Sequence, residues 1–269
     1  MKKDCLFEKV RLENPLVHVI ASQVVANDVA NSLLAIGASP MMAVAPEEME
    51  EIAGFAKAVV LNIGTLTSET VEAMVLVGRA ANEKGVPVVL DPVGAGATHF
   101  RKEAVSRILN KVTIQLIRGN AGELAHLADM DWTSMGVDSG EGRFSGKEIA
   151  EAVANKYQTV AAVSGKEDFI SDGSQTIGIQ NGNVLLTAVT GTGCMLSGIC
   201  GAFLAESEKT VLESAVQACA GYAVAAEMAA ENSSVQGPGS FRTAFIDSLS
   251  QVTDQNVRNR EKIKRYSAE

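Results

Sequence analysis

The chain lacks the means for a disulfide framework or a structural zinc site. Its four cysteines, Cys5, Cys194, Cys200 and Cys219, include no CxxC pair and no close Cys/His cluster, so reduced thiols are expected. It is also short of positive charge. Against 32 Asp and Glu stand 23 Lys and Arg, a net charge of -9, and a surface for phosphate backbones or anionic membranes needs clustered Lys and Arg. Neither nucleic acid nor a membrane is an expected partner. No run approaches the roughly 18 apolar residues of a membrane span, and no apolar stretch of signal length follows the lysines of "MKKDCLFEKV". A cytoplasmic protein is expected. A Walker A loop is missing too, since no Gly-Lys-Ser/Thr follows a glycine turn, and neither "GAGATH" nor "GTGCML" completes GxGxxG. That argues against a P-loop NTPase and a Rossmann dehydrogenase. Finally, no repeat, linker or low-complexity tract divides the chain. With 46% hydrophobic residues it can fill a sizeable core, and one domain over residues 1–269 is expected.

What the chain does have is alternation. "LVHVI", "PMMAV", "AVVLNIG", "PVVLDPVG", "TIQLIRGN" and "TVAAVSG" are short runs rich in Val, Ile and Leu, closed by Gly, Pro or Asn, as buried strands are. Helical patterns lie between them. Pro46 with Glu47 and Glu48 makes a favourable first turn, and Ser145 with Glu148 has capping-box spacing before "IAEAVANKY". Repeated strand and helix predict an α/β fold: a central, mostly parallel sheet with helices on both faces. After residue 165, "DFISDG" and "QTIGIQNG" alternate around Asp172-Gly173, which predicts an antiparallel hairpin at the sheet edge. From Gly191 onward the chain reads as Ala-rich helix, broken at "ENSSVQGPGS"; the other long irregular stretch is 130 to 146.

In an open parallel sheet, ligands collect beyond the carboxyl ends of the strands. Those ends are polar here. They deliver Asp91, Gly94 and Gly96; Arg118, Asn120 and Glu123; Ser164 and Gly165; and Thr190 through Cys194. Singly, each has a plain reading: Asp91-Pro92 as a cap or turn, Glu123 as a first-turn acid, Arg118 as a surface ion-pair partner. Together, one cation, two carboxylates and a glycine turn opening a helix are the parts of a magnesium-nucleotide site. Gly191 and Gly193 let backbone approach a ligand, and the N–H groups that open the next helix face an arriving anion. Cys194 falls at the positive end of that helix, where a thiol pKa is expected to drop toward neutrality, fitting it as base or nucleophile. Of His18, His99 and His126, none has the spacing of a nucleophile's partner. Cys200 and Cys219 read as small core side chains.

These segments, in this order, resemble the hydroxyethylthiazole kinase family, thiamine-salvage enzymes of the ribokinase-like superfamily. The pieces that carry the likeness are "NDVANSLLAIGASPMMAVAPEE", "VVLNIGTLT", "VVLDPVGAGATHFR", "IRGNAGE", "VTGTGC" and "GPGSFR", within about Asn14 to Ser248. The resemblance implies ATP-dependent phosphorylation of the alcohol of 4-methyl-5-(2-hydroxyethyl)thiazole. It implies that Arg118 and Ser164 contact ATP, with Ser164 keeping the hydroxyl of the family's frequent Thr. Met42 and Gly191 would contact the thiazole, and Asp91 and Glu123 would organise Mg2+. Cys194 would stand where ribokinase-like relatives place an Asp base. A homotrimer with interfacial active sites is also implied. The chain departs from the family pattern at Ala21 and Ser22, where a Thr-Asn pair is usual. That leaves two alternatives: a kinase of a related pyrimidine or pyridine alcohol, and a non-catalytic thiazole or nucleotide binder.

Overall fold

The computed structural model describes residues 6–131 and 144–267. Cys5 and most of the irregular stretch 130 to 146 lie outside them. Helix α1 (Leu6–Glu13) leads into strand β1 (Leu16–Ile20), α2 (Ala26–Ala35) and β2 (Ser39–Met41). A short turn at Pro46–Glu48 and α3 (Met49–Ile52) precede β3 (Ala58–Asn62), α4 (Ser68–Glu83), β4 (Val88–Asp91) and α5 (His99–Leu109). Next come β5 (Leu116–Asn120), α6 (Ala121–Leu127), α7 (Gly146–Tyr157) and β6 (Val160–Ser164). The hairpin β7 (Asp168–Ser171) and β8 (Gln175–Ile179) follows, then α8 (Thr192–Glu206), α9 (Val211–Ala230), α10 (Pro238–Gln251), α11 (Asp254–Arg260) and β9 (Ile263–Ser267).

The described strands form one sheet in the order β2-β1-β3-β4-β5-β6-β7-β8-β9. From β2 to β6 every pairing is parallel; β7, β8 and β9 add on antiparallel. Strand residues alternate between two cores. Val17, Val19, Ala58, Val60, Val89 and Leu116 pack with α1, α2, α8, α9 and α10 on one face. Val59, Leu61, Val88, Leu90, Ile117 and Ala161 pack with α3 to α7 on the other. A period of two in a strand buried on both sides leaves no polar face, which is why these runs read as continuously apolar.

Pro46 with Glu47 and Glu48 forms a helical first turn that runs into α3, as expected. Two expectations need correction. "PMMAV" is strand only through Met41, so Met42 lies beyond the sheet. The chain after Gly191 is not all helix: β9 returns to pair with β8, with Ile179 opposite Ile263. The Ser145–Glu148 capping box and the Asp172-Gly173 hairpin stand as expected.

Candidate active site

Because β3, β4, β5 and β6 run in parallel, their carboxyl ends share one rim. Asn62, Asp91 and Ser164 are the last residues of their strands, and Arg118 lies two before the end of β5. Into this rim points the start of α8. It is preceded by Gly191 at φ 86°, where an added β-carbon would stand 2.6 Å from Val25 Cγ1. The turn is therefore closed to any larger residue.

Arg118 is almost fully buried, so it is not the surface ion-pair partner that its sequence position also allowed. Its Nη2 donates to Ser164 Oγ at 2.7 Å. Burial works against its charge, but Asp91, Glu123 and Asp168 more than compensate and hold its pKa above the ordinary value. Its Nε is buried and meets no acceptor among the described residues.

Asp91 is buried, with Oδ2 accepting from Asn62 Nδ2 at 2.7 Å and from Ser197 Oγ at 2.8 Å. Burial raises its pKa, while Arg118 and these two donors oppose the rise. Glu123 does two things at once. It completes a capping box with Asn120, both bonds at 2.9 Å, and its Oε1 accepts from Gly94 N at 2.9 Å. The simple first-turn reading of Glu123 is thus correct as far as it goes, but the same carboxylate also reaches the loop after β4. Burial, and then the nearby charge of Asp91, push it up to about 7. Arg101 ties this loop to the one after β3, donating at 2.7 Å to the carbonyls of Ile63, Val93 and Gly64.

Cys194, the third residue of α8, accepts from Asn62 Nδ2 at 3.1 Å. Its thiol contradicts the helix-dipole expectation: burial, then Asp91, push it up to about 12. A helix terminus contributes a fraction of a unit charge, whereas desolvation and a full negative charge both oppose the thiolate. No histidine partners it. His18 is buried with Nε2 2.9 Å from Ala43 O, His99 pairs with Glu103, and His126 stands against Gly96. Cys200 and Cys219 are buried core residues, as expected.

Met42 and Ala21 pack partly buried against the same apolar cluster as Cys194. Ser22 is buried, its Cβ 2.6 Å from where a β-carbon on Gly64 would be. The structure thus gathers Asp91, Arg118, Glu123, Ser164, Gly191 and Cys194 at one rim. It adds residues the sequence reading passed over: Asn62, Ser197, Arg101 and Asp168. Asp168 accepts from Gly165 N at 2.9 Å, and burial pushes it up to about 6. The one signal for Asn62 was its place as the polar residue closing an apolar run; Asp168 and Ser197 had none.

The donor set suits a hard divalent cation. Asp91 and Glu123 offer carboxylate oxygens, and the proton affinity of Glu123 is raised partly by the negative charge of Asp91, which a cation would relieve. Among the described residues no cluster of three or more His, Cys, Asp or Glu forms an all-protein cage. Magnesium commonly uses one or two carboxylates and completes its shell with water and phosphate.

A mostly parallel sheet with an antiparallel edge, helices on both faces and a glycine turn opening α8 at the strand rim is the ribokinase-like fold. A ribokinase-like superfamily protein from Enterococcus faecalis V583 shares the fold at TM-score 0.64, with 14% identity over 93% of this chain and 90% of that one. The chain belongs to the hydroxyethylthiazole kinase family, whose model matches residues 7–255. It is 50% identical over 256 residues, 95% of each chain, to the hydroxyethylthiazole kinase of Listeria monocytogenes serotype 4a (strain HCC23). It is similar in structure to the hydroxyethylthiazole kinase of Pyrococcus horikoshii OT3: TM-score 0.87 and 38% identity, covering 97% of this chain and 98% of that one.

Proposed function

We propose that this chain transfers the terminal phosphoryl group of ATP to the hydroxyl of 4-methyl-5-(2-hydroxyethyl)thiazole, a step of thiamine salvage. Family membership supports the reaction, and the geometric observation that carries it is Arg118. Its Nη2 is held by Ser164 and its charge is sustained by the surrounding carboxylates, so a fixed guanidinium stands at the strand rim, the kind of group that binds phosphate through charge-assisted hydrogen bonds. Arg118 and Ser164 are the ATP contacts in this reading. The N–H groups opening α8 would line the anion hole, beside the Arg118 guanidinium that packs against Gly193.

Asp91 and Glu123 would hold Mg2+, which when bound would supply positive charge against the phosphates. Met42 and Gly191 would bound the thiazole. Cys194 would face its hydroxyl. A thiol pushed up to about 12 is neutral at pH 7, so its sulfur lone pair orients the hydroxyl rather than removing the proton early. Phosphoryl transfer tolerates this, because a loose transition state gains more from positioning and charge stabilisation than from a strong base. The homotrimer with interfacial sites in this reading rests on the family resemblance. Among the described residues no helix is long and apolar enough to cross a membrane, and a single cytoplasmic domain completes the reading.

Ala21 and Ser22 favour a second reading, a related pyrimidine or pyridine alcohol, because a smaller and less polar pocket wall changes which ring is held. A coupled ADP-release assay over thiazole, pyrimidine and pyridine alcohols with ATP and magnesium decides. Preferred turnover of the thiazole supports the first reading; preference for another alcohol replaces it. Thiazole binding without ADP release would mark a non-catalytic binder.

A further inference from the structure

Asn62 is almost wholly buried at the end of β3, and every polar atom of its amide is used. Its Nδ2 donates to Asp91 Oδ2 at 2.7 Å and to Cys194 Sγ at 3.1 Å, and its Oδ1 accepts from Gly64 N at 3.0 Å. An amide has two N–H donors and one oxygen acceptor, so these three partners fix its orientation: turned over, it would set oxygen against a carboxylate. Its backbone is equally constrained, since Asn62 is the register partner of Asp91 on the adjacent strand. Ser197, one helical turn beyond Cys194 on α8, donates to the same Asp91 Oδ2 at 2.8 Å. Asn62, Asp91, Ser197 and Cys194 thereby close a ring through β3, β4 and α8.

We propose that Asn62 is a positioning residue for phosphoryl transfer, holding the Asp91 carboxylate and the Cys194 sulfur in one fixed relation. The proposal rests on the kinase reading above, in which those two side chains flank the reacting groups. Asn62 acts through them, and its leverage comes from where it is mounted. A buried amide on a central strand holds its partners more rigidly than a loop residue can, and supports of this kind commonly change activity or metal affinity 10- to 100-fold when removed.

The test uses Asn62→Leu, which keeps the branched outline with bulkier methyl groups and removes all three bonds, and Asn62→Ser as a second variant should Leu fail to fold. The unsubstituted enzyme is first assayed on the panel of alcohols. If the thiazole is not its substrate, the substrate reading fails, and the Asn62 test proceeds on whichever alcohol turns over. The expected result is a kcat lowered roughly 10- to 100-fold with alcohol KM within about threefold. The loss should shrink severalfold in a Cys194→Ala background, where half of the tie is already cut. A readout independent of turnover is the magnesium concentration that half-saturates ADP binding in calorimetry, expected to rise by about tenfold. A folded variant with unchanged kcat, an equal loss in both backgrounds, or an unchanged magnesium midpoint would each overturn the proposal. If no alcohol turns over, the magnesium midpoint alone decides it.

Discussion

The Arg118 guanidinium donates to Ser164 Oγ at 2.7 Å, and its Nη1 lies 2.5 Å from where a β-carbon on Gly193 would be. One cation thus fills the space left by one missing methyl group. Gly193→Ala should push the guanidinium aside with little damage to the fold, because the displaced group is the far end of a long side chain. The expected outcome is a KM for ATP raised about 10- to 100-fold, the equivalent of one charge-assisted hydrogen bond, with alcohol KM nearly unchanged. Arg118→Ala should do at least as much. Initial rates at varied ATP check both, and normal ATP dependence in both variants would assign Arg118 a purely structural role.

Cys194 offers a sharper contrast. A carboxylate at that position is a usable base at pH 7, whereas a thiol pushed up to about 12 is not. Cys194→Asp is therefore expected to keep or raise kcat, with a steeper magnesium requirement because a second negative charge then faces Asp91. Cys194→Ala should lose no more than about tenfold, the low end for a group that orients more than it ionises. A dead Ala variant with a trappable phosphocysteine would instead establish a covalent nucleophile. An unfolded Asp variant beside a fully active Ala variant would make the cysteine structural.

Removing either carboxylate should weaken the hold on phosphate charge. Asp91→Asn and Glu123→Gln are each expected to lower kcat by two orders of magnitude or so, most severely at limiting magnesium. Melting temperatures should change little, since losing a carboxylate whose pKa burial raises offsets losing its share in balancing the buried Arg118 charge. Near-normal rates at low magnesium would remove the affected residue from the metal site.

Asp168 gives a pH prediction for stability. Its carboxyl is pushed up to about 6 from an ordinary 3.8, first by burial, with Gly165 N–H and Arg118 opposing. The folded protein therefore favours the neutral acid: the stabilisation is complete below pH 3.8 and is lost as pH rises through about 6. Asp168→Asn should melt above the parent at pH 7.5, by about 2–4 °C per kcal/mol relieved, and the gap should close toward pH 4. Paired thermal melts across that range measure it, and a gap that widens on acidification would reverse the assignment.

The sequence by itself determined the alternation of strands and helices, the hairpin at Asp172-Gly173, the Ser145 cap and the rim on which Asp91, Arg118, Glu123, Ser164 and the Gly191 turn meet. These are local matters: side-chain period, turn chemistry and the parallel direction that places successive strand ends together. Only the tertiary structure decided the rest. Nothing in "EKIKRYSAE" says that its strand finds β8, because the partner lies more than 80 residues away. Asn62 looked like punctuation after an apolar run until Cys194, 132 positions later, arrived at its amide. The Cys194 thiol is the clearest case. Its neighbours in sequence place it at a helix start, which favours the anion, but burial and the Asp91 charge are set by β4 and α8 packing together, and at short range in a desolvated site they outweigh the dipole.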